Sequence, residues 1–172
     1  MYSFIDTDLR GAAMKLHTRK QAPKEGQAPE RQSAPKDQAY VTTHMDYLHF
    51  LIDSQHVFQA LEDAVISNDS LVEFRNTGLE RTVGLEKDIK FMMEEYGLER
   101  PSVGNVGEEY AKVISEAVSA NQIPEFMCHY YNFYFAHTAG GRMIGKQMSA
   151  LLLNKKTLEF YKVSRISDYI QF

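Results

Sequence analysis

Six histidines are the first candidates for chemistry in this chain: His17, His44, His49, His56, His129 and His137. None sits in an HExxH pattern or is matched to a CxxC pair, so their spacing gives no support to a zinc enzyme. Paired Glu-x-x-His motifs, which a di-iron carboxylate bundle needs, are missing too. His17 stands out by context. It falls late in an apolar-periodic segment, beside Met14 and Leu16, with Arg10 two turns earlier on nearly the same face. A neutral imidazole there could be an axial ligand to a heme iron, with the Arg10 guanidinium reaching a propionate. The plainer account is a boundary histidine on an amphipathic helix. The local pattern alone favours that account, because helical histidines are common and ligands rare.

The second candidate is the segment FMCHYYNFYFAHTAGGRMIG, Phe126 to Gly145. Aromatic rings crowd the turns before Gly140-Gly141. Such rings form core more often than a cofactor box, so they decide nothing alone. Each glycine inside a helix costs about 1 kcal/mol relative to alanine and needs a reason. A kink is one reason. Close approach of a flat ligand to bare backbone is another. Tight helix packing through GGxxxG, completed by Gly145, is the alternative of equal weight. No nucleophile elbow and no Gly-rich phosphate loop is present. Glu86-Lys87-Asp88 alternates in sign and reads as a solvated helix face.

The elements that must position these residues are helical. Apolar spacing predicts a first helix through Ile5, Leu9, Ala12, Ala13 and Leu16, with Asp6 or Asp8 near its start. A second runs over 43–68, with Tyr47, Phe50, Leu51, Phe58, Leu61 and Val65 inward. A third covers about 79–96, through Val83, Leu85, Ile89, Phe91 and Met92, and stops at Gly97. Pro101, Gly104 and Gly107 mark a loop before a fourth helix over about 108–120. After Pro124, residues 125–154 read as helix interrupted near Gly140-Gly141. Period-two β-branched runs are missing, so the fold class is all-α. Residues 21–38, QAPKEGQAPERQSAPKDQ, hold three of the five prolines and no Leu, Ile, Val or aromatic, which predicts a mobile surface loop.

The 172 residues suit one domain, with 44% hydrophobic and 24% charged residues. The formal net charge of -4 argues against broad nucleic-acid binding. Cys128 is the single cysteine, so no internal disulfide forms. No run of 18 apolar residues predicts a membrane span, and no apolar signal core opens the chain, so a soluble intracellular protein, or a mature or partial form of one, is expected.

Two segments together change the odds on His17. AMKLHTR (Ala13 to Arg19) and FAHTAGGRMIG (Phe135 to Gly145) resemble the proximal and distal helices of plant- and algal-type heme oxygenase. FRNTGLERT, HYYNFYF and LEFYK add to the resemblance, which runs from about Arg10 to Lys162 in the family's order and spacing. It implies a helical bundle with heme between the first helix and the kinked distal helix. His17 then matches the iron ligand and Arg10 a basic position near the propionates. Gly140 and Gly141 match the distal glycines over the porphyrin. His137 matches a distal position that supports water, and Tyr131 an aromatic position at the pocket edge. The implied reaction cleaves heme, both cofactor and substrate, to biliverdin, carbon monoxide and ferrous iron. Electrons come from reduced ferredoxin, and the product feeds phytochrome chromophore synthesis. Arg19, Lys20, Arg142 and Lys146 are candidate contacts for that acidic donor. A monomer in the plastid (chloroplast stroma) is implied. The alternatives are a heme-binding protein without turnover and a cofactor-free helical interaction module.

The resemblance fades after LEFYK. Such proteins usually carry tryptophan next, and this chain has none. Lys162-Val163-Ser164 is what an exon end read through its splice donor encodes, so residues 163–172 are expected to be translated intron. On that expectation, missing helices expose Leu151, Leu152, Leu153, Leu158 and Phe160, and weaken heme binding, solubility and turnover.

Overall fold

The computed structural model describes residues 41–162. The expected first helix, the loop 21–38, the tail 163–172, Arg10 and His17 lie outside the described residues. Among the described residues the structure is helical throughout, without a strand.

Helix α1 spans His44–Ser67 and is the element on which others assemble. Thr43 starts it with a reciprocal capping box: its hydroxyl accepts from the Asp46 amide at 3.2 Å, and its own amide donates to Asp46 Oδ2 at 2.7 Å. Thr43→Ala is expected to cost about 0.5–2 kcal/mol in urea unfolding, the range for losing such a cap.

Two further carboxylates of α1 hold the starts of its neighbours. Glu62 Oε1 accepts from the amides of Arg81 and Thr82, at 2.6 and 3.1 Å, where helix α2 (Thr82–Tyr96) begins. Asp53 Oδ1 accepts from the Gly104 amide at 2.7 Å, at the N-cap of α3 (Asn105–Ser119). Negative charge there satisfies orphan amides and the positive end of the helix dipole. A Cβ at Gly104 or Gly107 would lie 2.9 or 3.0 Å from the Asp53 carboxylate, so these glycines let α3 start against α1. Gly107 therefore belongs to the buried first turn of α3, not to the loop expected from the sequence. Gly97 ends α2 in the left-handed region, at φ 63°, as its position predicts.

Helix α4 (Ile123–Ala136) opens on Pro124, whose missing N–H costs nothing in a first turn. It passes through a five-residue π turn, His137–Gly141, into α5 (Arg142–Leu152). A 3-10 turn, Glu159–Tyr161, then folds back onto α2 and the π turn. Its packing corrects one expectation: Leu153, Leu158 and Phe160 are buried, and of the five apolar residues expected to be exposed, Leu151 is the one that is largely so. Phe50 and Val83, read as inward, are exposed because their positions fall off the core-facing phase of their helices. The core centres on Phe58, with Leu48, Leu51, Leu61, Leu85, Ile89, Met92, Ile114 and Phe126 fully buried around it.

Candidate functional site

The interruption expected at the glycine pair is a π turn. Such a turn accommodates one extra residue and leaves the local backbone ladder imperfect. Thr138 answers this locally, its hydroxyl donating to the Tyr134 carbonyl at 2.9 Å.

The three glycines of GGxxxG do different work. A Cβ at Gly145 would sit 2.6 Å from the Tyr161 ring. That ring cannot swing aside freely, because Tyr161 is buried and its hydroxyl accepts from Tyr47 at 3.2 Å. Gly145 is therefore a packing glycine. A Cβ at Gly141 would lie 3.4 Å from the Ala136 carbonyl and from His137 Nδ1. At Gly140 it would meet nothing within 4 Å. Gly145→Ala should cost about 1–3 kcal/mol by overpacking. Gly140→Ala should leave stability unchanged or raise it by up to about 1 kcal/mol, as Gly→Ala does in an open helix. Parallel denaturant unfolding of the two variants checks the contrast.

Residues 131, 135, 140 and 144 are separated by steps of four, five and four. Four residues make about one α-turn, and the step of five crosses the wider π turn, so these positions run along one stripe. Tyr131, Phe135 and Ile144 are each more than half exposed. The Tyr131 and Phe135 rings stack at 5.3 Å and 10°. The stripe is thus apolar side chain on both sides of bare backbone at Gly140. This row of exposed apolar side chains makes the outer face of the π turn the candidate contact surface. Arg142 and Lys146 stand exposed on α5.

His137 opens the π turn from the other side. It is buried, and its Nε2 lies 2.8 Å from the Phe160 carbonyl. Its ring contacts Phe160 at 4.1 Å and lies edge-on to Phe58 at 5.8 Å. Burial pushes its pKa down to about 4. The Arg81 and Arg142 guanidiniums act in the same direction, against the hydrogen bond to Phe160. The imidazole is neutral at pH 7.

Of the site residues expected from the sequence, the structure places Gly140, Gly141, His137 and Tyr131 on one continuous helical segment. Tyr131 lies on the outer stripe and His137 faces the core. Asp88, assigned to a solvated face, is 3% exposed, its carboxylate bound to the amides of Glu159 and Phe160. The available signal was Gly84, one helical turn earlier. Among the described residues no group of three or more His, Cys, Asp or Glu is placed to hold a metal.

A family model for heme oxygenase matches residues 9–172. The chain is 45% identical over 157 residues to heme oxygenase 1, chloroplastic, of Oryza sativa subsp. japonica, covering 90% of this chain and 53% of that protein. It is 42% identical over 161 residues to heme oxygenase 1, chloroplastic, of Arabidopsis thaliana, covering 90% and 55%. It is also 39% identical over 127 residues to the probable inactive heme oxygenase 2, chloroplastic, of Arabidopsis thaliana, covering 73% and 42%. The chain spans about half the length of the curated relatives it matches.

Proposed function

The chain belongs to the heme oxygenase family, and on that premise we propose that it binds heme and cleaves it to biliverdin, carbon monoxide and ferrous iron. The observation that carries the reading is the apolar stripe Tyr131–Phe135–Gly140–Ile144, interrupted at its centre by bare backbone in a π turn. A flat apolar macrocycle fits such a surface, because a Cβ at Gly140 would stand in its plane of approach. Heme supplies the iron redox chemistry and is itself the molecule consumed.

The protein's own part follows from the residues. Gly140 and Gly141 allow close approach and present backbone in place of side chains. His137 keeps one proton on Nε2, committed to the Phe160 carbonyl, and offers Nδ1 as an acceptor. With a pKa pushed to about 4 it is a weak base at neutral pH and carries no acidic proton to deliver. It can hold water without acting as a strong acid. Tyr131 borders the surface. His17 supplies the iron ligand and Arg10 a propionate contact, both on the resemblance of AMKLHTR to the proximal helix. Reduced ferredoxin is the proposed electron donor. Its acidic surface suits Arg142 and Lys146, with Arg19 and Lys20. Biliverdin as a precursor of phytochrome chromophore, and the chloroplast stroma as the compartment, complete the reading; the chloroplastic relatives support the latter.

A second reading is heme binding without turnover. The likeness to a relative named probable inactive favours it.

Hemin titration of the 172-residue chain beside His17→Ala, followed by reductant and oxygen, tests both. A saturable complex altered by His17→Ala, whose Soret band decays to biliverdin, is the expected result. A stable complex that never decays supports the second reading. Absence of saturable binding overturns both. Gly140→Ala is expected to weaken hemin binding about tenfold, equivalent to ~1.4 kcal/mol, while the protein stays folded.

A further inference from the structure

The turn Glu159–Tyr161 is gripped from α2 by a residue that the chemistry above leaves unused. The two oxygens of Asp88 divide the work: Oδ1 accepts from the Glu159 amide at 2.9 Å and Oδ2 from the Phe160 amide at 2.7 Å. Gly84 lies four residues earlier, on the same face of the helix. A Cβ there would touch the Glu159 carbonyl group and the Phe160 nitrogen at 3.4–3.5 Å. One residue makes room for the turn and the other holds it. Phe160 then uses its carbonyl, at the opposite end of the residue, to accept from His137 Nε2 at 2.8 Å. A carbonyl oxygen cannot donate, so the neutral imidazole carries its proton on Nε2. The acceptor nitrogen, Nδ1, is left beside Gly141, 3.4 Å from where a Cβ would lie.

We infer that Asp88 is a positioning residue for His137: by fixing the Phe160 peptide it sets which imidazole nitrogen is protonated and where Nδ1 points in the π turn. A charged acceptor is suited to this. Hydrogen bonds to a carboxylate are roughly twice as strong as neutral ones, and two of them fix both position and orientation of a short turn. Burial drives the Asp88 carboxyl pKa upward, and the two amides oppose it. Glu159 and Lys162 are the charged groups of the turn that face it. The catalytic meaning of this positioning rests on the proposed role of His137, but the positioning itself is readable without heme.

The test is nitrogen-resolved NMR of the histidine rings in the heme-free 172-residue chain, beside Asp88→Asn. Asparagine keeps one acceptor, Oδ1, but its NH2 end cannot accept, so one of the two grips is lost. Ile89→Val serves as a control: it lowers stability through a buried methyl on the same helix and leaves the carboxylate alone. The unmodified chain should show His137 as a single Nε2–H tautomer, with a slowly exchanging Phe160 amide. Asp88→Asn should show a tautomer mixture and Phe160 exchange faster by about tenfold or more. Ile89→Val should keep the single tautomer. A single tautomer retained in folded Asp88→Asn overturns the inference. So does a rapidly exchanging Phe160 amide in the folded unmodified chain, a result that stands even where Asp88→Asn fails to fold. Hemin turnover separates the two readings. A scrambled tautomer with undiminished turnover removes the catalytic role of His137 and leaves the positioning intact. An unscrambled tautomer removes the positioning, whatever turnover does.

Discussion

Phe58→Ala is expected to remove about 3–5 kcal/mol of stability, the cost of truncating a well-packed phenylalanine. Phe58 is 2% exposed. Its ring lies edge-on to four others: Phe133 at 5.4 Å, Tyr134 at 5.2 Å, His137 at 5.8 Å and Phe160 at 5.6 Å. Edge-to-face geometry adds about 0.5–1.5 kcal/mol per pair beyond buried area, though neighbouring pairs do not add fully. The hole left by the ring cannot collapse easily. Its walls come from α4, the π turn and the 3-10 turn, and Tyr134 and Phe160 are buried on their other sides. A domain holds about 5–15 kcal/mol in all, so the loss is a large share of the total. Urea unfolding at pH 7 measures it. A loss below about 1 kcal/mol would mean that the aromatic cluster does not close around Phe58 in solution. The same truncation removes one wall of His137, so the histidine should gain mobility before the chain unfolds.

The sequence carried the helices and their stops because those signals are local. Gly97 ends a periodic run and adopts positive φ there. Pro124 opens α4, and the Gly140-Gly141 pair marks the place where the helix changes pitch. Residues whose partners are distant in the chain were not legible. Asp88 sits in an alternating Glu-Lys-Asp run, and the amides it binds are 71 and 72 residues away. Only the phase of α2 separates it from exposed Glu86 and Lys87. The expectation of missing helices puts Leu158 and Phe160 at an exposed edge. The 3-10 turn buries them instead, by folding back on α2 and the π turn. The glycines show the same division. Their presence was legible, but which one packs and which one is bare depends on Tyr161, sixteen residues beyond Gly145.

Acidification from pH 7 to pH 4 should cost about 3 kcal/mol of folding stability through His137 alone. The ordinary histidine value is 6.5, and in the fold His137 is held near 4. At 1.36 kcal/mol per unit, that gap is worth about 3 kcal/mol. The sign follows from proton counting. Between those two values the unfolded chain binds a proton that the folded chain refuses. Stability from the neutral, buried ring is therefore fully present above pH 6.5, falls as the pH drops, and levels off below about 4. Asp88 opposes this at the acid end, since its folded carboxyl is shifted upward and acid favours its folded form. His137→Gln isolates the histidine. Glutamine keeps an amide donor for the Phe160 carbonyl and does not titrate, and Asp88 contributes equally to both proteins. The stability difference between the two, followed by urea unfolding across this range, should be flat above pH 6.5 and change by about 3 kcal/mol towards pH 4. Parallel curves would show that the ring is not buried as described. The same physics bears on the proposed reaction. Burial that makes the folded chain acid-labile also keeps an imidazolium away from the π turn at neutral pH. Turnover should then show no ionisation near 6.5 that His137→Gln abolishes. A turnover profile with such an ionisation would assign the histidine to acid catalysis, against the water-holding role.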